Sequence, residues 1–169
     1  AAAESSYEGC IVNTASMAGL LSPPNMGVYN VSKHGVVALT ETLYQDLALV
    51  TKQIRAHVLC PSFVATGIVH SHRSRPIDAS ADRPTRSQIV AQAMVSKAGE
   101  SGKVSAAEVA AKVFDAVRQN RFYIYSHSEA LKSVQTRFED VMIGRNPSDP
   151  FAERPALGKQ LRAALHMLT

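Results

Sequence analysis

The sequence predicts an α/β fold with a mostly parallel β-sheet. Three short segments rich in β-branched or aromatic residues, 10–14, 54–60 and 122–125, are separated by predicted helices of ten or more residues. Strands joined by helices of this length form βαβ units, in which the strands run parallel. The first segment also begins as a continuous apolar run, which is typical of a strand whose sheet is covered by helices on both faces.

The composition is that of a folded domain with a sizeable core. Of 169 residues, 46% are hydrophobic and 19% are charged, which excludes a disordered chain. The formal net charge of +4 is spread along the sequence and does not form a block, so we expect no nucleic-acid partner. No apolar run approaches the ~20 residues that a membrane-spanning helix needs, so we expect no membrane partner and a cytoplasmic location.

Two cysteines, Cys10 and Cys60, are too few for a disulfide framework. We predict that both are free thiols in a reducing compartment. Because they fall at opposite ends of two strands expected to lie side by side in parallel, a bridge between them is geometrically excluded.

The longest predicted helix follows the first strand. Residues 1–9 show no sustained periodicity and are predicted as a loop or a frayed helix end, and the two prolines and the glycine in 22–27 predict a turn. The helix is then expected from Val28 to Thr51. Apolar residues at spacings of three and four predict a single buried stripe on it, formed by Val36, Leu39, Leu43 and Leu47.

The polar segment 66–104 follows the second strand, which Pro61 is expected to end because proline has no N–H. We predict a substrate lid in this segment, with a helix at about 85–98. The spacing of Ser105 and Glu108 is that of a capping box opening a further helix.

The third strand, Phe122 to Tyr125, is followed by another amphipathic helix from Leu131 to Met142. Gly144 is expected to close this helix, because glycine readily adopts the left-handed conformation that follows many helix ends. Residues 145–169 are predicted to be a C-terminal extension containing a short helix around Leu157, Leu161, Leu165 and Leu168.

Ser16, Tyr29 and Lys33 form the constellation with the clearest chemical meaning. Tyr29 and Lys33 are four residues apart at the start of the long helix, so their side chains lie on the same face. A lysine ammonium beside a phenol stabilises the phenolate and makes the tyrosine a plausible acid/base. Ser16, just beyond the first strand, can donate a hydrogen bond to a substrate oxygen and stabilise charge that develops there.

Three motifs surround these residues: Ile11-Val12-Asn13-Thr14-Ala15-Ser16, Tyr29-Asn30-Val31-Ser32-Lys33 and Leu59-Cys60-Pro61-Ser62-Phe63-Val64-Ala65-Thr66. Their order and separations resemble those of the short-chain dehydrogenase/reductase family. They are similar to its serine-bearing fifth strand, its YxxxK helix and its PGxxxT loop. The resemblance is strong over residues 10–66 and looser elsewhere.

The resemblance implies that 1–169 is a single partial domain, the C-terminal part of a Rossmann-like doubly wound parallel sheet containing strands five to seven. The family's Gly-rich phosphate loop, the acidic residue after its second strand and its upstream catalytic asparagine have no counterpart here. We therefore expect the chain to be a fragment of a longer protein. Alone it should be unstable, because its first strand would present an unpaired apolar edge.

The resemblance also implies NAD(P)-dependent interconversion of a small-molecule alcohol and a ketone or aldehyde. Tyr29 would transfer the proton, Ser16 would orient the substrate, and Lys33 would tune Tyr29 and hold the nicotinamide ribose. Tyr29, Lys33, Pro61, Val64 and Thr66 would contact the cofactor, NAD or NADP. A homodimer or homotetramer packed through the long helix is implied as well.

One departure from the family pattern lies in the cofactor loop, where Ser62 replaces the usual glycine. Serine restricts the backbone relative to glycine, which puts the loop contacts of Val64 and Thr66 in question. Cofactor preference cannot be predicted, because its determinant follows the family's second strand.

Other interpretations of the same residues stay open. Tyr29 and Lys33 can be a surface pair, Ser16 can cap a turn, and Thr66 can be an ordinary helix N-cap. His70 and His72 have no accompanying carboxylate or cysteine cluster, so no metal site is predicted, and Arg73, Arg75, Arg83 and Arg86 are expected to be a solvated face. As a whole, the chain can alternatively be a non-catalytic binding or scaffold protein of this family, or a truncated inactive fragment.

Overall fold

The computed structural model describes residues 7–68, 84–100 and 104–166. In chain order, their strands and α-helices are β1 Gly9–Thr14, α1 Gly27–Val50, β2 Ile54–Cys60, α2 Arg86–Glu100, α3 Ala106–Arg118, β3 Tyr123–Tyr125, α4 Leu131–Ile143 and α5 Pro155–His166. Short 3-10 helices occupy Met17–Gly19 and Ser128–Ala130. Every strand and helix predicted from the sequence is present, and the boundaries that fall on described residues agree within about two residues. Leu168, in the last predicted helix, lies outside the described residues.

The three strands form one parallel sheet in the order β1-β2-β3. β1 pairs with β2 from Gly9 opposite Ile54 to Thr14 opposite Leu59. β3 is shorter and pairs only with the end of β2, from Val58 opposite Tyr123 onwards. The predicted α/β class and parallel sheet are confirmed, and the carboxyl ends of all three strands meet at one edge of the sheet.

Burial distinguishes the central strand from its neighbour. β2 is buried at every position from Ala56 to Cys60, whereas Cys10, Ile11 and Thr14 of β1 are exposed. Among the described residues, β1 pairs with β2 alone. The described residues therefore provide no partner strand for the other edge of β1. Cys10 and Cys60 are both free, one exposed and one buried at the other end of the neighbouring strand.

The described residues divide into two compact units, 7–62 with 107–134, and 63–68, 84–100, 104–106 with 135–166. The first contains the sheet, α1 and nearly all of α3. Its main buried cluster is formed by Ala15, Met17, Leu20, Val37, Val58, Cys60 and Val134. That 1–169 is one partial domain, with a lid at 66–104 and an extension at 145–169, stays a prediction.

The buried face of α1 differs from the predicted stripe. Leu39 is 65% exposed, whereas Thr40 is fully buried. The Thr40 hydroxyl donates to the Val36 carbonyl at 2.6 Å and accepts from the Asn13 side-chain amide at 3.1 Å. The prediction for Leu39 was wrong: the side chain that faces the sheet on this turn of α1 is Thr40, which has a hydrogen-bond partner on β1.

Helices α3 and α4 end in the same way. After α4, Gly144 has φ +66°, its N–H donates to the Val141 carbonyl at 3.3 Å, and the Arg145 N–H donates to the Asp140 carbonyl at 2.9 Å. This pair of bonds is a Schellman motif, so the predicted closure by Gly144 is confirmed. Asn120, with φ +51°, takes the corresponding place after α3.

In the second unit, α2 packs on α5, where the Arg86 guanidinium donates to the Ala164 carbonyl at 3.0 Å. The side chain of Asp140, near the end of α4, is buried. It accepts from the Ser148 N–H at 2.8 Å and forms an ion pair with Arg145. The backbone N–H of Ser148, with help from Arg145, lowers the pKa of Asp140 below its ordinary value.

Candidate active site

The candidate site lies where β1 and β2 end. The backbone hydrogen bonding between β1 and β2 continues just beyond the end of β1, where the Ala15 N–H donates to the Leu59 carbonyl at 2.8 Å. The Met17 N–H then donates to the Pro61 carbonyl at 2.9 Å. These bonds hold the residues after β1 against the residues after β2 and fix Ser16, which lies between the two donors.

Ser16 is the N-cap of the 3-10 helix Met17–Gly19 and has an extended backbone. Its Oγ accepts from the Ala18 N–H at 3.1 Å and donates to the Pro61 carbonyl at 3.4 Å. The turn-capping interpretation of Ser16 is therefore confirmed. It does not exclude contact with a substrate, because the side chain is only half-buried.

Gly19 brings this 3-10 helix directly against α1. A Cβ added to Gly19 would lie 2.7 Å from the Lys33 carbonyl oxygen and 2.8 Å from Val37 Cγ2. Only glycine permits so close an approach of the two backbones. The Ser16-capped helix is thus seated on the turn of α1 that carries Lys33. Sequence reasoning missed Gly19, because a glycine near a strand end gives no indication of what it will touch.

Tyr29 and Lys33 lie in the first two turns of α1, as their spacing predicted. The Lys33 Nζ is 5.7 Å from the centre of the Tyr29 ring and donates to the Thr14 carbonyl at 3.2 Å. Tyr29 is 37% exposed. Lys33 therefore connects the tyrosine to the end of β1, two residues before Ser16, while the phenol stays accessible to a bound molecule.

The turn before α1 is tied to the helix by Asn30, which is buried. Its side-chain amide donates to the Pro23 carbonyl at 2.9 Å. Asn25 in this turn has φ +63°, a conformation that asparagine tolerates better than most residues. The bond between Asn30 and Pro23 sets the direction from which the chain enters α1, and hence the position of Tyr29.

The predicted cofactor-loop residues are divided between the two compact units. Pro61 belongs to the first unit, where its carbonyl accepts from both Ser16 and Met17. Val64 and Thr66 belong to the second unit. Val64 forms a β-bridge with Val104, and the Thr66 hydroxyl accepts from the Ile68 N–H at 3.4 Å, as an ordinary local cap does.

Ser62 causes no backbone strain. Among the described non-glycine residues, only Asn25 and Asn120 have positive φ, so position 62 does not need glycine. The Ser62 N–H donates to the Ser126 hydroxyl at 2.8 Å. Serine is therefore accommodated at position 62 without strain, and the cofactor contacts of Val64 and Thr66 stay a prediction.

Three other ionisable groups at or near the strand ends, Cys60, Tyr123 and Tyr125, are unsuited to acid–base work at neutral pH. Burial raises the pKa of the Cys60 thiol to about 11, so Cys60 stays neutral. Burial also raises the pKa values of Tyr123 and Tyr125. The Tyr123 hydroxyl donates to Glu41 at 2.6 Å, which raises its pKa further and commits it to a structural contact.

No helix within the described ranges 7–68, 84–100 and 104–166 is long and apolar enough to cross a membrane. In the same part of the chain, no group of three or more His, Cys, Asp or Glu side chains is arranged to hold a metal ion. His70, His72, Arg73, Arg75 and Arg83 lie outside the described residues.

Comparison with known proteins gives consistent matches. Residues 2–76 match the family model of the short chain dehydrogenases. The CLA biosynthesis dehydrogenase/reductase of Lactiplantibacillus plantarum is 33% identical over 143 residues, which are 81% of this chain and 49% of that protein. The NAD(+)-dependent 15-hydroxyprostaglandin dehydrogenase of Rattus norvegicus is 38% identical over 63 residues, 37% of this chain and 24% of the relative.

Among solved structures, a short chain dehydrogenase/reductase from Burkholderia phymatum in complex with NAD superposes with a TM-score of 0.82. It is 49% identical, and the match covers 85% of this chain and 51% of that one. The fold predicted from the sequence is confirmed by this likeness. The chain spans about half the length of the Lactiplantibacillus relative and of this structure.

Proposed function

We propose that this chain, which belongs to the short-chain dehydrogenase/reductase family, carries the proton-transfer residues of an NAD(P)-dependent oxidoreductase that interconverts an alcohol and a ketone or aldehyde. The observation that carries the proposal is the position of Lys33, whose ammonium lies beside the Tyr29 ring and bonds to the end of β1. Gly19 seats the Ser16 segment on the same turn of α1.

Tyr29 is the acid/base of this mechanism. In the oxidative direction it takes the proton of the substrate hydroxyl, and in the reductive direction it returns a proton to the carbonyl oxygen. The Lys33 ammonium lies 5.7 Å from the centre of the Tyr29 ring, within reach of the site where the proton is exchanged. The exposure of Tyr29 supports this role, because a bound substrate can reach the phenol.

Ser16 orients the substrate oxygen. Its bond to the Pro61 carbonyl, at 3.4 Å, is long for an O–H donor. The hydroxyl proton can therefore turn to a substrate oxygen at little cost, while the Oγ continues to accept from Ala18. Ser16 would then stabilise the negative charge that develops on that oxygen.

Lys33 also fits the cofactor ribose. An ammonium has three N–H donors, and Thr14 accepts from one, so two remain for a pair of ribose hydroxyls. Pro61, Val64 and Thr66 are the further proposed cofactor contacts. Of these, Pro61 follows β2 at the carboxyl edge, where doubly wound sheets bind their ligands. When bound, NAD or NADP supplies or accepts the hydride.

The proposal extends to the surroundings of the site. Segment 66–104 would close over a small-molecule substrate, and the protein would act in the cytoplasm without a nucleic-acid or membrane partner. Val28, Val31, Leu49 and Val50 of α1 are each at least 74% exposed, which supports a homodimer or homotetramer packed through this helix.

The test is made on the full-length protein with a panel of carbonyl substrates, following consumption of NADH and NADPH. Tyr29→Phe removes the phenol and should lower kcat by about 100-fold or more, the usual contribution of general acid–base catalysis. Tyr44→Phe is the matched control, since Tyr44 lies on the same helix and is 39% exposed against 37% for Tyr29. Unchanged turnover in Tyr29→Phe would refute the mechanism. A wild-type protein that binds the cofactor without turnover would indicate the scaffold alternative.

A further inference from the structure

Ser126 is a buried polar residue that the proposed mechanism does not use. It follows β3 directly, at the edge of the sheet where β1 and β2 also end, and is 1% exposed. Its Oγ accepts from the Ser62 N–H at 2.8 Å. Ser62 begins the loop after Pro61, so a side chain at the end of β3 holds the backbone at the end of β2.

The identity of Pro61 explains why this bond matters. Proline has no N–H, so the first amide after β2 that can anchor the loop is that of Ser62. The other side of the same peptide is also held, since the Pro61 carbonyl accepts from Ser16 Oγ and Met17 N–H. The start of the loop is thus fixed between the Ser16 segment and Ser126.

Ser126 is itself held in place by two neighbours. Its Oγ lies 2.7 Å from His127 Nδ1, and its carbonyl accepts from the Lys112 ammonium at 2.5 Å. Because the Oγ accepts from Ser62, its own proton is directed to Nδ1 when the His127 proton is on Nε2. The Ser62 N–H, as donor, and His127 Nδ1, as acceptor, then determine the orientation of the Ser126 hydroxyl.

We propose that Ser126 is a positioning residue: it sets the geometry of the loop that starts at Pro61, and through it the affinity for the nicotinamide cofactor. The inference rests on the function proposed above. It assigns Ser126 no contact with substrate or cofactor. Its effect passes through the Ser62 amide, and His127 supports it by orienting the hydroxyl.

The test measures cofactor affinity directly, on the full-length protein. Wild type, Ser126→Ala and Ser126→Thr are titrated with NADH and NADPH by fluorescence, and the melting temperature without cofactor is recorded. Ser126→Ala should weaken cofactor binding by about tenfold, as expected for the loss of one buried hydrogen bond. The KM for cofactor should rise in parallel, with kcat falling by less. Ser126→Thr keeps the hydroxyl and should restore binding to near the wild-type level.

Two further variants distinguish a specific effect of Ser126 on cofactor binding from an effect of misfolding. His127→Ala leaves Ser126 in place and removes the imidazole that accepts from its hydroxyl, so it should weaken binding in the same direction by a smaller factor. Ser128→Ala, on the exposed 3-10 helix that follows, is the control and should bind as wild type does.

Each outcome either supports or overturns the positioning role of Ser126. Wild-type affinity in Ser126→Ala, or a lower melting temperature with unchanged affinity, would overturn the positioning role and leave the proposed function standing. The positioning role would also be overturned if Ser126→Thr did not restore cofactor binding and His127→Ala did not weaken it. A wild-type protein that binds neither NADH nor NADPH would overturn the proposed function and this inference together.

Discussion

Replacing Gly19 by alanine tests how the site is assembled. The new methyl group would meet the Lys33 carbonyl oxygen at 2.7 Å and Val37 Cγ2 at 2.8 Å. An ordinary carbon–carbon contact is about 3.5–4.0 Å, so the 3-10 helix and α1 must move apart. The Lys33 carbonyl belongs to the backbone of a long helix and cannot turn aside as a flexible side chain would.

The size of the effect follows from overpacking of a buried contact. Gly19 and Val37 are both buried, and inserting a methyl group into such a place typically costs about 1–3 kcal/mol. We therefore expect Gly19→Ala to lower the free energy of unfolding of the full-length protein by about that amount. Because Ser16 caps the displaced helix, kcat should fall as well.

Urea unfolding followed by circular dichroism measures the change in stability, and Gly35→Ala is the matched control. Gly35 lies on α1, with nothing within 4 Å of an added Cβ. Alanine is favoured over glycine inside a helix by about 0.5–1 kcal/mol, so this variant should be more stable than wild type. If Gly19→Ala were as stable as wild type, the close packing of the Ser16 segment on α1 would be refuted.

Two further changes test the end of α4 in the same unfolding assay. Gly144→Ala places a Cβ at φ +66° with no neighbouring atom in the way, so conformational strain alone should lower stability by about 1–2 kcal/mol; an unchanged urea midpoint would contradict this. Asp140→Asn should destabilise the protein at pH 7 and should have a smaller effect at pH 3. The pKa of Asp140 is lowered on folding, so its stabilising contribution is present above the ordinary value of 3.8 and is lost as the pH falls through the folded value. An equal loss at both pH values would contradict the role of the charge.

Local patterns in the sequence predicted the elements that depend on local physics. β2 was predicted at its observed bounds, because a buried strand ended by proline gives a clear signal. The closure of α4 by Gly144 was predicted from the preference of glycine for positive φ. The spacing of Tyr29 and Lys33 predicted that they share one face of α1.

Contacts between distant segments could not be predicted in this way. Thr40 is buried because Asn13, 27 positions away, bonds to it, and no helical periodicity contains that information. Gly19 is required because of what α1 places beside it. Ser126 is 64 positions from the amide that it holds. Such residues are recognised only when the fold brings their partners together.

The bond at the Ser62 amide determines which residue types position 62 tolerates. The donor belongs to the backbone, and the backbone at position 62 is outside the left-handed region, so neither glycine nor serine is chemically required there. Proline is the one residue type that removes the donor. A search for related proteins should therefore accept any residue except a second proline at this position. A library randomised at position 62 should keep cofactor binding in its non-proline members that fit the space.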